Sequence, residues 1–142
     1  MNLSEHFTLE ELTHTDHREF DNTPNEAERA NLERLALFLE QVKGVLGGKP
    51  IMVNSAFRSK AVNDAVGSKD SSQHRMACAA DIRVPGMTPD EVVRTIISSG
   101  IGYDQIIREF DRWTHISVPN TKDMTPRRQA LIIDKSGTRA YA

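Results

Sequence analysis

The feature that most constrains the fold is a regular apolar stripe in the first third of the chain. Apolar side chains recur there at spacings of three and four residues, at Leu32, Leu35, Leu39, Val42 and Leu46. This spacing places them on one face of an α-helix of about four turns, and such a face is buried against another layer. Thr23, Pro24 and Glu26 form a start signal for this helix, and Gly47-Gly48 ends it.

The rest of the chain predicts a small sheet and a second long helix. Residues 88–91 repeat the start signal, and apolar positions 92, 93, 96 and 97 follow before Gly100. Short helical turns are expected at residues 8–12 and 61–66, and strands at residues 51–57, 79–84, 104–110, 113–118 and 130–134. The predicted fold class is α+β, with two principal helices packed on a small, mostly antiparallel sheet in a single domain of residues 1–142.

Composition and charge exclude several classes of protein. A chain of 142 residues, 38% of them hydrophobic, is long enough for one domain with a proper core. The net charge of −2 gives no basic field for nucleic acid, and a single cysteine excludes an internal disulfide. No apolar run approaches the ~18 residues that span a bilayer, and residues 1–7 lack the features of a secretory signal. We therefore expect a protein that is cytoplasmic as synthesised and does not insert into a membrane. We also predict that it is a monomer.

Residues with the chemistry of a metal site lie in two short segments. Within residues 72–81, His74 is followed by Asp81, and His115 comes later on a separate predicted strand. Alternation along each strand places Asp81 and His115 on the face away from the apolar side chains. Two imidazoles and one carboxylate can hold zinc and leave a fourth position for water, which is typical of catalytic zinc. Considered alone, however, such a histidine more often has a structural role.

Several motifs in the same order resemble those of a known family. Residues 72–81 resemble the S-x-H-x-x-G-x-A-x-D signature of the zinc D-alanyl-D-alanine carboxypeptidase and L-alanyl-D-glutamate endopeptidase family. Residues 54–59 resemble the strand of that family that ends in S-G-Y-R-S, and residues 107–110 and 113–117 resemble its closing acidic residue and W-x-H segment. The resemblance extends from about residue 3 to 118, with the motifs in residues 50–118. The family includes many bacteriophage endolysins and shares its fold with the amino-terminal domain of hedgehog proteins.

The resemblance implies a role for each matching residue. The zinc ligands would be His74, Asp81 and His115. Arg58 and Ser72 would hold the carboxylate or carbonyl of a peptide substrate, because a guanidinium can pair bidentately with a carboxylate. Glu109 would be the general acid/base that takes a proton from the zinc-bound water and gives it to the leaving amine.

Two positions depart from the pattern of the family. The signature has a glycine where this chain has Ala77, a change that is tolerated unless the backbone requires a positive φ. Many relatives carry the acidic residue three positions before the last histidine, where this chain has Arg112. Glu109 and Asp111 are therefore both candidates for the acid/base.

The loop of the predicted hairpin discriminates between the two candidates. A two-residue turn at residues 111–112 would pair Arg108 with His115 and point Glu109 away from it. A three-residue loop at residues 111–113 would place Glu109 directly opposite His115 on one face. We predict the three-residue loop and Glu109 as the acid/base, with Asp111 as the alternative.

We interpret the remaining reactive side chains as structural or solvated. His6, His14 and His17 lie in a polar segment and are expected at the surface or in local hydrogen bonds. Cys78 could be a nucleophile beside a histidine, but the resembling family needs no thiol there and a small buried cysteine is favoured. The Arg127-Arg128 pair is interpreted as solvated.

Together these features predict a zinc metallopeptidase that hydrolyses a peptide bond of the peptidoglycan stem, as a phage or prophage endolysin released to the wall by a holin. One alternative is a non-catalytic zinc-containing module of the same fold that binds peptidoglycan or a protein. Another is a virion-associated wall-degrading component. Glu109 and Arg58 favour an enzyme, because a binding module has no need of a proton shuttle. Either D-Ala-D-Ala or L-Ala-D-Glu is a candidate for the scissile bond.

Overall fold

The computed structural model describes residues 1–141, which form four helices and six strands. The helices are α1 (Leu9–Leu12), α2 (Glu26–Val45), α3 (Lys60–Ala65) and α4 (Pro89–Ser99). The strands are β1 (Met52–Ser55), β2 (Ala79–Arg83), β3 (Gln105–Glu109), β4 (Trp113–Ser117), β5 (Gln129–Asp134) and β6 (Gly137–Ala140). Among these described residues, no helix is long and apolar enough to cross a membrane.

All six strands belong to one mixed sheet with the order β1-β2-β4-β3-β5-β6. Every neighbouring pair is antiparallel except β3 and β5, which run parallel. The predicted α+β class with a mostly antiparallel sheet is therefore confirmed. The sequence did not predict β6 or the parallel pairing, because both depend on where the chain returns after β4 rather than on local pattern.

The predicted apolar stripe of α2 lies in the core. Its buried side chains are Leu32, Leu35, Ala36, Phe38, Leu39 and Val42. They form one cluster with the buried face of α4 and with buried isoleucines of the sheet, among them Ile82, Ile106 and Ile116. Because burial of a leucine or isoleucine contributes about 1.5–3 kcal/mol, this cluster is the main source of stability for the sheet face that packs on the helices.

The predicted start of α2 was wrong by two residues. Asn25, not Thr23, caps the helix: its side chain accepts the Glu28 N–H at 2.8 Å, and Glu28 Oε1 accepts the Asn25 N–H at 2.8 Å. The Thr23 hydroxyl instead donates to Asp21 Oδ1 at 2.6 Å, which removes it from competition for the cap. The predicted cap of α4 at Thr88 and Glu91 is confirmed.

The hairpin of β3 and β4 has the predicted loop length but a different register. Its three-residue loop is residues 110–112 rather than 111–113, so Glu109 pairs with Trp113 and Ile107 pairs with His115. The reason is a tight turn in which Phe110 and Asp111 both have φ of 53° and the Arg112 N–H donates to the Glu109 carbonyl at 3.0 Å. The register differs by two residues, so Glu109 and His115 still share one face of the sheet.

Candidate metal centre

Three side chains from a loop and two strands meet on the sheet face opposite the helices. Asp81 on β2 and His115 on β4 are direct partners across the sheet, and His74 comes from the loop before β2. Asp81 Oδ1 lies 3.2 Å from His74 Nε2 and 3.0 Å from His115 Nδ1. One ligand atom from each residue lies within 4.8 Å of the others, and within residues 1–141 this is the one such cluster of histidine, cysteine and acidic side chains.

The ring of His74 is oriented by the main chain. Its Nδ1 lies 2.7 Å from the carbonyl oxygen of Ala56, which can only accept a hydrogen bond, so Nδ1 carries a proton and Nε2 is the ring nitrogen directed at Asp81. The His74 carbonyl accepts the Arg58 N–H at 3.0 Å, which ties the loop to the end of β1. A hydrogen bond of this kind from the second ring nitrogen is what orients metal-bound histidines.

The carboxylate at the centre stays ionised despite its burial. Burial by itself opposes the charge of Asp81, but the charges and hydrogen bonds of His74 and His115 outweigh it and hold its pKa well below the ordinary value. Two imidazole nitrogens and one carboxylate oxygen form the donor set of a catalytic zinc site with an open fourth position. The three residues present therefore fit zinc.

Glu109 lies beside this cluster. Its Oε1 is 4.0 Å from His115 Nδ1, and its side chain is only 18% exposed. Burial, followed by the charge of Asp81, raises the pKa of Glu109, while His115 and Arg58 oppose the shift. The indole N–H of the neighbouring Trp113 also opposes the shift of the Glu109 pKa, although its buried Nε1 forms no full hydrogen bond with any residue in the range 1–141.

Asp111, the other candidate, lies on the outer turn of the hairpin. Its side chain is 70% exposed and pairs with Arg108 Nε at 3.0 Å. The fold therefore brings Glu109 to the cluster and directs Asp111 into an ion pair with another residue. This difference follows from the turn, which places the two carboxylates on different parts of the hairpin.

Arg58 and Ser72 border the cluster in different ways. Arg58 Nη2 lies 3.7 Å from Asp81 Oδ2, and burial lowers the pKa of its guanidinium while Asp81 and Glu109 oppose that shift. Ser72 Oγ accepts the main-chain N–H of His74 at 3.2 Å, so this hydroxyl shapes the loop that presents the ligand. Arg58 thus supplies a cation at the centre, whereas Ser72 supports the backbone beside it.

Ala77 occupies the glycine position of the signature with a left-handed backbone. Its φ is 62° and its side chain is buried. The position therefore does require a positive φ, which costs an alanine about 1–2 kcal/mol relative to the right-handed conformation. Its N–H donates to the His74 carbonyl at 3.2 Å, so the unusual conformation closes the turn that follows the ligand.

A polar junction around the buried carboxylate of Asp104 was not predicted from the sequence. Gln73 Nε2 donates to Asp104 Oδ2 at 3.0 Å, and Arg127 Nε and Nη2 donate to the same oxygen at 3.0 and 2.7 Å. Arg127 is exposed, as predicted, but the sequence did not predict that its head group also pairs with the buried carboxylate of Asp104. No local pattern links the three residues, although Gln73 lies inside the signature, next to His74.

The other side chains with reactive groups lie apart from the centre. Cys78 is fully buried, and burial raises the pKa of its thiol, as expected of a packing residue. His6 Nδ1 lies 2.7 Å from Glu40 Oε1, a local hydrogen bond of the predicted kind. His14 and His17 are partly exposed beside Asp16 and Glu19.

Comparison with known proteins identifies one family. The family model described as peptidase M15 matches residues 5–117, about four fifths of the chain. The matched segment contains all of the residues of the cluster and Glu109, and it ends before β5. No curated protein matches the chain.

Proposed function

Because the chain belongs to the peptidase M15 family, a family of zinc peptidases that act on peptidoglycan peptides, we propose that it hydrolyses a peptide bond of the peptidoglycan stem. The proposed zinc ligands are His74, Asp81 and His115. The observation that carries the proposal is the position of Glu109, whose carboxylate lies 4.0 Å from one of these ligands. A structural zinc site would use four protein ligands and would not need an acid/base beside it.

The zinc ion and the residues around its ligands would have separate roles in the reaction. A bound zinc ion supplies a Lewis acid that polarises a carbonyl and lowers the pKa of water. Glu109 accepts a proton from the attacking water and gives it to the amine of the leaving group. Its half-enclosed position supports this role, because burial raises the pKa of a carboxyl towards the pH at which it can both accept and donate a proton.

Arg58 and Ser72 are proposed to orient the substrate. The guanidinium of Arg58 is held at the centre by Asp81 and can pair with a substrate carboxylate through two parallel hydrogen bonds. Ser72 contributes its hydroxyl to a substrate carboxylate or carbonyl while its Oγ also accepts the His74 N–H. This pair holds the peptide in register so that the scissile carbonyl faces Glu109.

The resemblance to endolysins supports a proposal for where and in what form the protein acts. We propose a single domain over residues 1–142, with the hedgehog-like arrangement of helices and sheet, acting as a monomer. The protein is made in the cytoplasm of the host and reaches the wall after release by a holin. The support for this setting is the signature at residues 72–81, which many phage endolysins carry.

Mass spectrometry of digested muropeptides tests the proposal. Purified muropeptides are incubated with the zinc-loaded protein, and the masses of the products identify the bond that is cut. The expected result is loss of one specific bond, abolished by a chelator and restored by zinc. Absence of hydrolysis from every wall type, with zinc bound and the fold intact, would overturn the peptidase and favour a binding module.

A further inference from the structure

A cavity opens between the tips of the two hairpins, at the end of the sheet that carries Trp113. It has a volume of about 360 Å³ and is lined by Phe110, Asp111, Arg112, Trp113, Asp134 and Lys135. One wall belongs to the β3–β4 loop, and the other belongs to the β5–β6 turn, which lies beyond the segment matched by the family. The cavity is thus formed in part by residues that lie outside the segment matched by the family model.

The two acidic side chains of this cavity already have partners. Asp134 accepts hydrogen bonds from Arg139 Nη1 and Nη2 at 2.9 and 2.8 Å, and these lower the pKa of Asp134 to about 2. Asp111 pairs with Arg108. Arg112 and Lys135 form no ion pair with any residue in the described range 1–141. Their two uncompensated charges make the cavity attractive to an anion.

An aromatic wall stands beside these two cations. The rings of Phe110 and Trp113 have centroids 6.0 Å apart and are tilted by 46°. Phe110 is 45% exposed and has a positive φ, which is unusual for a bulky side chain. The main chain of β5 holds this conformation, because the Phe110 N–H donates to the Ile133 carbonyl at 2.8 Å. Backbone strain of this kind is concentrated at binding sites.

The position of the cavity relates it to a defined part of a bound peptide. Trp113 lies two residues before the ligand His115 on the same face of β4, a distance of about 7 Å along a strand. An extended peptide covers the same distance in two residues. The cavity therefore lies where the second residue on one side of the scissile bond would be.

We propose that this cavity is a subsite for a free carboxylate on the second residue from the scissile bond. The inference rests on the proposed function. In a stem peptide, the third residue is the second one from the scissile bond on the amino side if D-Ala-D-Ala is cut, and on the carboxyl side if L-Ala-D-Glu is cut. The cavity lies on one side of the centre and therefore serves one of these two cleavages. Diaminopimelate at that position has a free carboxylate on its side chain, and lysine does not. The subsite therefore favours stem peptides of the diaminopimelate type.

Three synthetic stem peptides that differ only in their third residue test the subsite: one with diaminopimelate, one with its side-chain amide and one with lysine. For the unmodified protein, we expect kcat/KM to be about tenfold higher for the diaminopimelate peptide, through a lower KM, as one or two exposed charge-assisted contacts would give. In the double variant Arg112→Gln/Lys135→Gln, the KM for this peptide should rise until the preference is lost.

The matched control is Lys49→Gln/Lys122→Gln, which removes the same charge from sites after α2 and beyond the opposite end of β4. This control should keep the preference. Loss of the preference in both double variants would show that it depends on the net charge of the protein and would overturn the subsite. Equal KM values for the three peptides, or a preference retained without Arg112 and Lys135, would also overturn it. If the unmodified protein cuts none of the peptides, the proposed function fails separately, and calorimetric binding of the three peptides still decides whether the carboxylate is recognised.

Discussion

The metal centre and the β5–β6 hairpin lie on one sheet, but they hold their charged groups differently. At the centre, Asp81 is buried between two imidazoles that are themselves tied to the backbone or to a neighbouring strand. In the hairpin, Asp134 pairs with Arg139 at the surface, and all four residues of β6 are exposed. A buried charge cannot be solvated when its partner is removed, whereas an exposed one can. Substitutions should therefore have large effects at the centre and small ones in the hairpin.

The largest effect should follow removal of a ligand. His74→Ala or His115→Ala leaves two of three donors, so we expect the bound zinc to be largely lost and hydrolysis to be abolished. Elemental analysis of the purified variants measures the metal directly. His17→Ala is the matched control and should keep one zinc per chain, since His17 lies beside Glu19 and outside the cluster. A full equivalent of zinc in His74→Ala would remove His74 from the ligand set.

Glu109→Gln should have the next largest effect, and on turnover alone. The amide cannot accept and relay a proton, so release of peptide fragments from peptidoglycan should fall by about 10²–10⁴-fold while zinc content stays near that of the unmodified protein. Asp111→Asn is the matched control, since its carboxylate pairs with Arg108 on the outer turn. A large loss in the control with little change in Glu109→Gln would transfer the acid/base role to Asp111.

Asp104 joins the two regions, because its partners are Gln73 beside the centre and Arg127 just before β5. Asp104→Asn should lower the free energy of unfolding near pH 7 by about 1–3 kcal/mol, the usual cost of weakening a buried hydrogen-bonded charge. Urea denaturation at a series of pH values measures the effect.

The pH dependence of this effect has a definite sign. Burial opposes the charge of Asp104, but hydrogen bonds from Arg127 lower its pKa below the ordinary value of 3.8. Its contribution to stability is therefore present above about pH 4 and is lost as the pH falls through the lowered pKa. The difference between the unmodified protein and Asp104→Asn should shrink in that acid range. A constant difference down to the lowest pH would mean that the carboxylate charge is not the source of the effect.

Cys78→Ser tests whether the centre includes the buried thiol. Because Cys78 packs in the core and its pKa is raised by burial, the variant should keep a sizeable share of its hydrolytic activity. The expected cost is about 1–3 kcal/mol of stability for a buried hydroxyl. The assay is the same release of peptide fragments, at equal zinc loading. Abolished activity with zinc and fold intact would instead support a thiol nucleophile.

The smallest effect is expected in the hairpin. Arg139→Gln removes two hydrogen bonds to Asp134, but both side chains are in contact with water and can be solvated separately. The melting temperature should therefore stay close to that of the unmodified protein in differential scanning calorimetry. A drop as large as that of Asp104→Asn would contradict the contrast between a buried centre and a solvated hairpin.

Local sequence was sufficient for the existence of the two long helices, for the cap of α4 and for the positions of the proposed ligands. The stripe on α2 and the cap at Thr88 depend on residues three and four apart, and such contacts are decided within one element. The cluster of His74, Asp81 and His115 could be predicted because the motifs resemble those of a known family, and the resemblance implies which residues meet in the fold. The role of Glu109 stays a prediction, although its position beside His115 agrees with it.

Other features depended on contacts that no local pattern contains. Thr23 and Asn25 could both cap α2. Asn25 does so because the hydroxyl of Thr23 donates to Asp21 instead. The hairpin register was set by two non-glycine residues with positive φ, a conformation that sequence does not favour for Phe110. The parallel pairing of β3 with β5 and the ion pair between Arg127 and the buried Asp104 both arise from the path of the chain after β4.

The hydrogen bond from His74 to the Ala56 carbonyl has a consequence for how the protein acquires its metal. The ring is oriented, and its tautomer chosen, by a main-chain group that is in place before any ion arrives. The entropy of ordering this ligand is therefore lost during folding rather than during metal uptake, and the core beneath the site is assembled from apolar side chains that do not contact the metal. Zinc uptake by this chain is preorganised, so a chelator should remove the ion and leave the native fold behind.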